Sequence, residues 1–206
     1  MDGEIFVSDT DGKPDFEAMM ARFMSKRNCI ENGTLSYVIF DVIRYKGESV
    51  ANLPLMERKQ LLEEIIPLDT SLLVKVKYLE GHGSAFFDLV RQQGLKGIVL
   101  KRKEFRYEVG KRSQEWLKVI IYQYQDVFIT GDRKAQFGLL LSFLDGKPAG
   151  VMEFMPPTER KALYKQLKVI SEDNKFILIE PVKVRVRYRN LTKAGYLRIP
   201  SFVSWK

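Results

Sequence analysis

The chain has 206 residues, with 34 Lys and Arg against 26 Asp and Glu, a net charge of +8, and a composition 45% hydrophobic and 29% charged. This length and balance suit one or two domains with real cores and exclude wholesale disorder, while the cationic surplus points to an anionic partner, most commonly nucleic acid. A single cysteine (Cys29) and a single histidine (His82) exclude a disulfide framework, a zinc finger and a Ser-His-Asp triad.

No apolar run approaches the ~20 residues of a membrane span and no signal-peptide pattern leads the chain, so a reducing cytoplasm is expected and a membrane partner is not. In chain order, residues 1–8 (MDGEIFVS) read as a strand turning at 9–13. A strand with nothing before it is expected where a domain has lost residues upstream. Residues 14–27 place Phe16, Met19, Met20, Phe23 and Met24 at i, i+3, i+4 spacing, which predicts a helix with its Phe/Met stripe in the core. Residues 35–43 suit a buried strand. Pro54 opens a helix with Leu55, Leu61, Leu62, Ile65 and Ile66 inward, stopped by Pro67. Residues 72–79 predict a strand, and 84–93 a helix capped by Ser84 and ended by Gly94.

The stretch 96–120 reads KGIVLKRKEFRYEVGKRSQEWLKVI. It predicts a short strand ending in Lys101, a basic loop, and a second strand carrying Trp116, Leu117 and Lys118. Two ammonium groups from neighbouring strands suit a polyphosphate, since each is a point charge with three donors. Beyond about residue 122 short strands follow at 126–130, 137–144 and 149–154, then a single helix at 157–170 with Leu163 and Leu167 inward, then strand at 175–189. That order resembles an OB-type barrel. In the last strand Lys183, Arg185, Arg187 and Arg189 alternate with Val184, Val186 and Tyr188, so the cations line one side roughly 7 Å apart, near the phosphate spacing of a DNA strand. Residues 181–206 contain no Asp or Glu, and Lys193, Arg198 and Lys206 add charge. The row predicts a phosphate-tracking face, with a solvated edge strand as the alternative.

Four segments, in order, resemble the ATP-dependent DNA ligases of bacterial and prophage type. They are MDGEI at 1–5; YVIFDV at 37–42 with Gly47; KGIVLK at 96–101 with WLKVI at 116–120; and YLRIPSF at 196–202. The resemblance implies an α+β fold, with a partial nucleotidyl-transferase (adenylation) domain of antiparallel sheets and helices over 1–122 and an OB-fold β-barrel over 123–206. It implies that Glu4 hydrogen-bonds the ribose hydroxyls of AMP, that Phe40 stacks on adenine, and that Lys101 and Lys118 contact the α-phosphate. Phe40 reads equally as a core residue, and Glu4 as a solvated one. Lys111 and Arg112 match the basic loop that touches DNA in the family, beside the row Lys183, Arg185, Arg187, Arg189 and Arg198. ATP and Mg²⁺ are the family's cofactors, nicked double-stranded DNA its partner, and a monomer the favoured state.

Three departures bear on chemistry. The family attacks ATP with the lysine of a K-x-D-G motif, forming lysyl-AMP; no K-x-D-G occurs in the 206 residues. Lys96 stands where the family has a metal-binding Glu, and a divalent ion about 4 Å from it would be repelled by about 8 kcal/mol at an effective dielectric of about 20. Ile120 replaces a second lysine. No catalytic nucleophile and no metal ligand are therefore expected, and the chain reads as a truncated or degenerate ligase unable to self-adenylate. The alternatives are a non-catalytic binder of nicked or duplex DNA, and another nucleotidyl transferase such as a capping enzyme or RNA ligase. The L-R-I-P ending disfavours the last.

Overall fold

In the computed structural model, which describes residues 1–9, 12, 14–25, 34–111 and 113–206, the first elements in chain order are β1 (Asp2–Val7), α1 (Phe16–Met24), β2 (Leu35–Asp41), β3 (Arg44–Tyr45), β4 (Glu48–Ser49), α2 (Leu55–Ile65), β5 (Leu73–Lys75) and α3 (Gly83–Gln92). They are followed by β6 (Gly97–Lys101), β7 (Trp116–Ile120), β8 (Gln123–Arg133), β9 (Leu139–Ser142), β10 (Pro148–Met152), α4 (Pro157–Gln166), β11 (Val169–Glu172), β12 (Phe176–Tyr188) and β13 (Ser201–Trp205). The chain divides into two compact units, Met1–Phe87 with Val99–Lys118 and Asp88–Ile98 with Val119–Lys206. Arg112 lies outside the described residues.

In the first unit β2 is central, with β1 antiparallel on one side and β5 parallel on the other. Ile39 is fully buried against Leu62 and Ile66, so the face carrying Tyr37 and Ile39 is covered by α2. Asp41 also meets α2, through Arg58, so Val38 and Phe40, which alternate with Ile39 and Asp41, lie on the opposite face, and Glu4 joins Val38 there as its partner. The glycine of D-G-E allows this pairing: a Cβ on Gly3 would overlap the Val38 carbonyl oxygen and the Tyr37 ring. The register then shifts, since Gly3 faces Ile39 while Asp2 faces Asp41. Phe40 is the bulged residue, left without a partner on β1.

Two expectations for this unit change. The helix α1 forms, capped by the Asp15 carboxylate, which accepts from the Ala18 N–H at 2.9 Å. None of its side chains is buried, however, and Phe23 and Met24 are 79% and 74% exposed. Apolar periodicity identifies a face of a helix but not what covers it. The strand expected at 72–79 contracts to β5, because only Leu73, Val74 and Lys75 find partners on β2.

In the second unit β10, β9, β8 and β12 pair antiparallel in that order, and β13 adds to β12. A parallel bridge between Phe154 and Ser201, with the Phe202 N–H on the Phe154 carbonyl at 2.9 Å, returns β13 to the end of β10. Five strands thus close on themselves in an OB-like barrel. Val127, Ile129, Leu139, Met152, Val184 and Val186 fill it at 0% exposure, and Leu163 of α4, equally buried, packs with them. Pro157 starts α4 at a first-turn position where a missing N–H costs nothing.

The single helix expected at 157–170 stops at Gln166. The Leu167 N–H bonds the Leu163 carbonyl, and Val169–Glu172 then pairs with β12 as β11. β-branched Val169 and Ile170 favour the extended state, and the Asp173 carboxylate turns the chain by accepting from the N–H groups of Lys175 (2.6 Å) and Phe176 (2.7 Å). Among the described residues no helix is long and apolar enough to cross a membrane.

Candidate functional site

The anchor of the first unit is a buried ion pair. Asp41 ends β2 and Arg58 lies one turn into α2, and both side chains are fully buried. The guanidinium grips the carboxylate with two bonds, Nε to Oδ1 at 2.8 Å and Nη2 to Oδ2 at 2.9 Å. Its remaining Nη1 donates to the carbonyls of Leu53 and, at 3.0 Å, Phe105, while Asp41 Oδ1 also accepts from the Val42 N–H. The forked geometry suits arginine and would not suit lysine. By holding the Phe105 carbonyl, Arg58 ties the loop between β6 and β7 to the end of β2.

That loop carries a three-ring cluster. Phe105 and Tyr107 each meet Trp116 edge-on, at 5.3 and 5.5 Å between centroids. The Tyr107 hydroxyl donates to Asp2 at 3.2 Å, and a cavity of about 310 Å³ is lined by Phe105, Tyr107, Glu108, Lys111 and Trp116. Burial, reinforced by the Asp2 charge, raises the Tyr107 pKa above its usual 10.0.

Two backbone bonds fix the β6–β7 ribbon, Arg102 N–H to the Glu115 carbonyl and Ile121 N–H to the Lys96 carbonyl. They set Lys101 opposite Trp116 and Val99 opposite Lys118, so Lys101 and Lys118 are diagonal neighbours on one face. Gly97 makes this closeness possible, with φ at +138° and the Val119 backbone where a Cβ would lie. The Lys101 ammonium sits 3.7 Å over the Trp116 ring. Among the described residues neither lysine has an ion-pair partner.

Burial holds the Lys101 pKa below the usual 10.5, with Arg58 adding to that effect and Asp41 and Asp2 opposing it. An anion requires the charged form, so binding must weaken as pH rises through this lowered pKa, earlier than at an ordinary lysine. Isothermal titration of tripolyphosphate between about pH 7 and 10 is expected to show that early loss, and Lys101→Met to remove it. A pH-independent affinity would exclude Lys101 from anion binding.

On the second unit, Val184, Val186 and Tyr188 face the core as expected, at 0%, 0% and 8% exposure. Lys183 and Arg187 are exposed on the other side. The row is not free of acid: Arg185 lies opposite Asp126 of β8, with Nη1 to Oδ1 at 3.5 Å. The partner came from a neighbouring strand, which a count along one segment cannot see. Arg187 stacks on Tyr122 at 4.7 Å, and Arg185 lies 5.8 Å from the ring of half-exposed Tyr124. Arg189 and Arg198 flank the strand, joined by a bond from the Arg189 N–H to the Arg198 carbonyl at 3.1 Å.

Comparison with known proteins decides the family. Residues 1–119 match the family described as ATP dependent DNA ligase domain. The chain belongs to the ATP-dependent DNA ligases. Over its whole length it is 45% identical to the SPbeta prophage-derived DNA ligase-like protein LigB of Bacillus subtilis (strain 168), spanning 75% of that protein. It is 30% identical, over 99% of its length, to the DNA ligase of Thermococcus fumicolans but spans only 42% of it. Among solved structures, mycobacterial DNA ligase D complexed with ATP and MES is similar at 25% identity and a TM-score of 0.54, covering all of this chain and 72% of the other. A Lig E DNA ligase at 18% identity, with a TM-score of 0.68, matches in fold across the whole chain and 76% of its own length.

Within this ligase chain, Glu4 and Phe40 share one sheet face and Lys101 and Lys118 one ribbon face, all within the first unit. Lys111 is exposed and paired with Glu108 at 3.5 Å. In the first unit the Asp41 carboxylate is engaged by Arg58 and that of Asp2 by Tyr107. No group of three metal-binding side chains occurs among the described residues. Arg58 and Lys59 were missed from sequence, though a signal exists. Leu55, Arg58, Lys59, Leu62 and Ile66 follow i, i+3, i+4, i+7, i+11 spacing, which puts two cations on the buried stripe of α2.

Proposed function

We propose that this ligase chain supplies the adenylate grip and the DNA grip of nick sealing, the reaction that runs through lysyl-AMP in DNA repair and recombination. Residues 1–122 act as the adenylation domain and 123–206 as the OB-fold DNA-binding domain, in a cytoplasmic monomer working on nicked duplex DNA. Glu4 takes the ribose hydroxyls and Phe40 stacks on adenine. Lys101 and Lys118 take the α-phosphate and oppose the charge that grows on it during transfer. Lys111, Arg112, Lys183, Arg185, Arg187, Arg189 and Arg198 track DNA phosphates.

The observation that carries this reading is the pair Lys101 and Lys118 on one ribbon face, unpaired among the described residues and backed by Trp116. Such a pair gains most when a polyphosphate arrives. With no K-x-D-G lysine, these 206 residues are not expected to take the first covalent step themselves. Incubated with labelled ATP and Mg²⁺, the chain is expected to bind ATP reversibly and to carry no label after denaturation. Label that survives denaturation overturns this part of the reading.

A second reading, a non-catalytic binder of nicked or duplex DNA, is favoured by the exposed Lys183 and Arg187, which lie in the unit without the nucleotide residues. It requires DNA binding that is indifferent to ATP, whereas the first requires ATP binding that Lys101→Met abolishes.

A further inference from the structure

Lys59 is a buried amine that the nucleotide grip leaves without a task. Its side chain is 6% exposed, it lies one residue after Arg58 on α2, and its Nζ donates to the Phe40 carbonyl at 2.8 Å. No carboxylate pairs with it among the described residues. The Tyr78 ring lies 5.2 Å away. A lysine kept from water with one backbone acceptor is costly unless that acceptor needs it.

Phe40 does need it. The register passes from Ile39 to Asp41 across from Gly3 and Asp2, so Phe40 has no partner on β1. On the other side, pairing with β5 ends at Ile39, whose carbonyl takes the Val76 N–H. Phe40 thus has no register partner on either side, and its carbonyl takes the Lys59 ammonium. A bulge re-aims its side chain, and an unheld bulge can relax. Consecutive residues of α2 thus hold consecutive residues of β2, Arg58 on the Asp41 carboxylate and Lys59 on the Phe40 carbonyl.

We propose that Lys59 is a positioning residue for Phe40, fixing the bulge that aims the ring at the adenine base. The inference rests on the nucleotide reading above and names a residue that reading does not use. Burial lowers the Lys59 pKa, and the neighbouring Lys101 charge lowers it further.

Isothermal titration of the full 206-residue chain with ATP and, separately, with tripolyphosphate tests this. Lys59→Met is expected to weaken ATP about tenfold, within the range that loss of a base–aromatic stack produces, and to leave tripolyphosphate affinity unchanged. Phe40→Ala should do the same, and the double variant should be no weaker than Phe40→Ala alone. Lys59→Arg, which keeps a charged donor, should retain ATP binding; this rescue is the readout if Lys59→Met folds poorly, and its failure counts against the proposal. Equal losses for ATP and tripolyphosphate would make Lys59 a phosphate contact and overturn the proposal, as would ATP affinity that Lys59→Met does not change. If Phe40→Ala itself leaves ATP affinity intact, the adenine reading fails, a result separable from failure at Lys59 alone.

Discussion

Asp41→Ala is expected to destabilise the first unit by about 3–5 kcal/mol, because it leaves a fully buried guanidinium without its counter-charge. Asp41→Asn should cost nearly as much, since an amide returns one acceptor but no charge. Arg58→Met strands the Asp41 carboxylate and releases the carbonyls of Leu53 and Phe105. The pair Asp41→Leu with Arg58→Met should be milder than the sum of the single changes, because apolar groups of similar volume often replace a buried ion pair at little cost. The two tryptophans, Trp116 and Trp205, fall in different units. Urea unfolding read by Trp116 fluorescence in a Trp205→Phe background therefore reports on the right one. A loss below about 1 kcal/mol would mean that the pair is solvated in solution.

The second large effect lies on β12. Replacing both Lys183 and Arg187 by Ala is expected to lower the slope of log affinity against log salt by about 2, at roughly 0.9 for each phosphate no longer neutralised. Near 0.1 M salt this corresponds to roughly 10²-fold weaker duplex binding. Arg185→Ala should matter less, because that guanidinium already faces Asp126 and DNA must compete for it. Conversely, Asp126→Asn should tighten DNA binding by freeing Arg185. Filter or fluorescence-anisotropy titrations across a salt series measure both slopes. An unchanged slope in the Lys183/Arg187 variant would remove this strand from the DNA path.

Local regularity made much of this legible from sequence. Strict alternation in β12 showed which side of the strand meets the core, and the D-G-E, F-D, G-I-V-L-K and W-L-K segments placed Glu4, Phe40, Lys101 and Lys118 on strands. The errors share a physical origin, in that each depended on a partner distant in the chain. The stripe of α1 is apolar, yet nothing described buries it. Val169 and Ile170 continued the expected helix until Ile179 and Leu178 offered Val169 and Ser171 a strand. The acid beside Arg185 comes from β8, and the cations on the stripe of α2 are intelligible only once Asp41 and the Phe40 carbonyl lie across from them. At Phe40 the sequence showed an aromatic residue on an apolar strand; the bulge that sets its direction is a matter of register, which one segment read alone does not contain.

The register of β12 has a consequence for which length changes this ligase can tolerate. Against β8 its pairing is irregular between Leu178 and Val182 and regular from there to Tyr188. An inserted residue upstream of Val182 can be absorbed where the ladder is already broken. One inserted between Val184 and Arg187 would rotate the rest of the strand by half a turn, driving arginine into the barrel and valine into water. Gaps among descendants of this sequence should therefore collect between Leu178 and Val182 and avoid the stretch from Val184 to Arg187, even where the individual side chains drift.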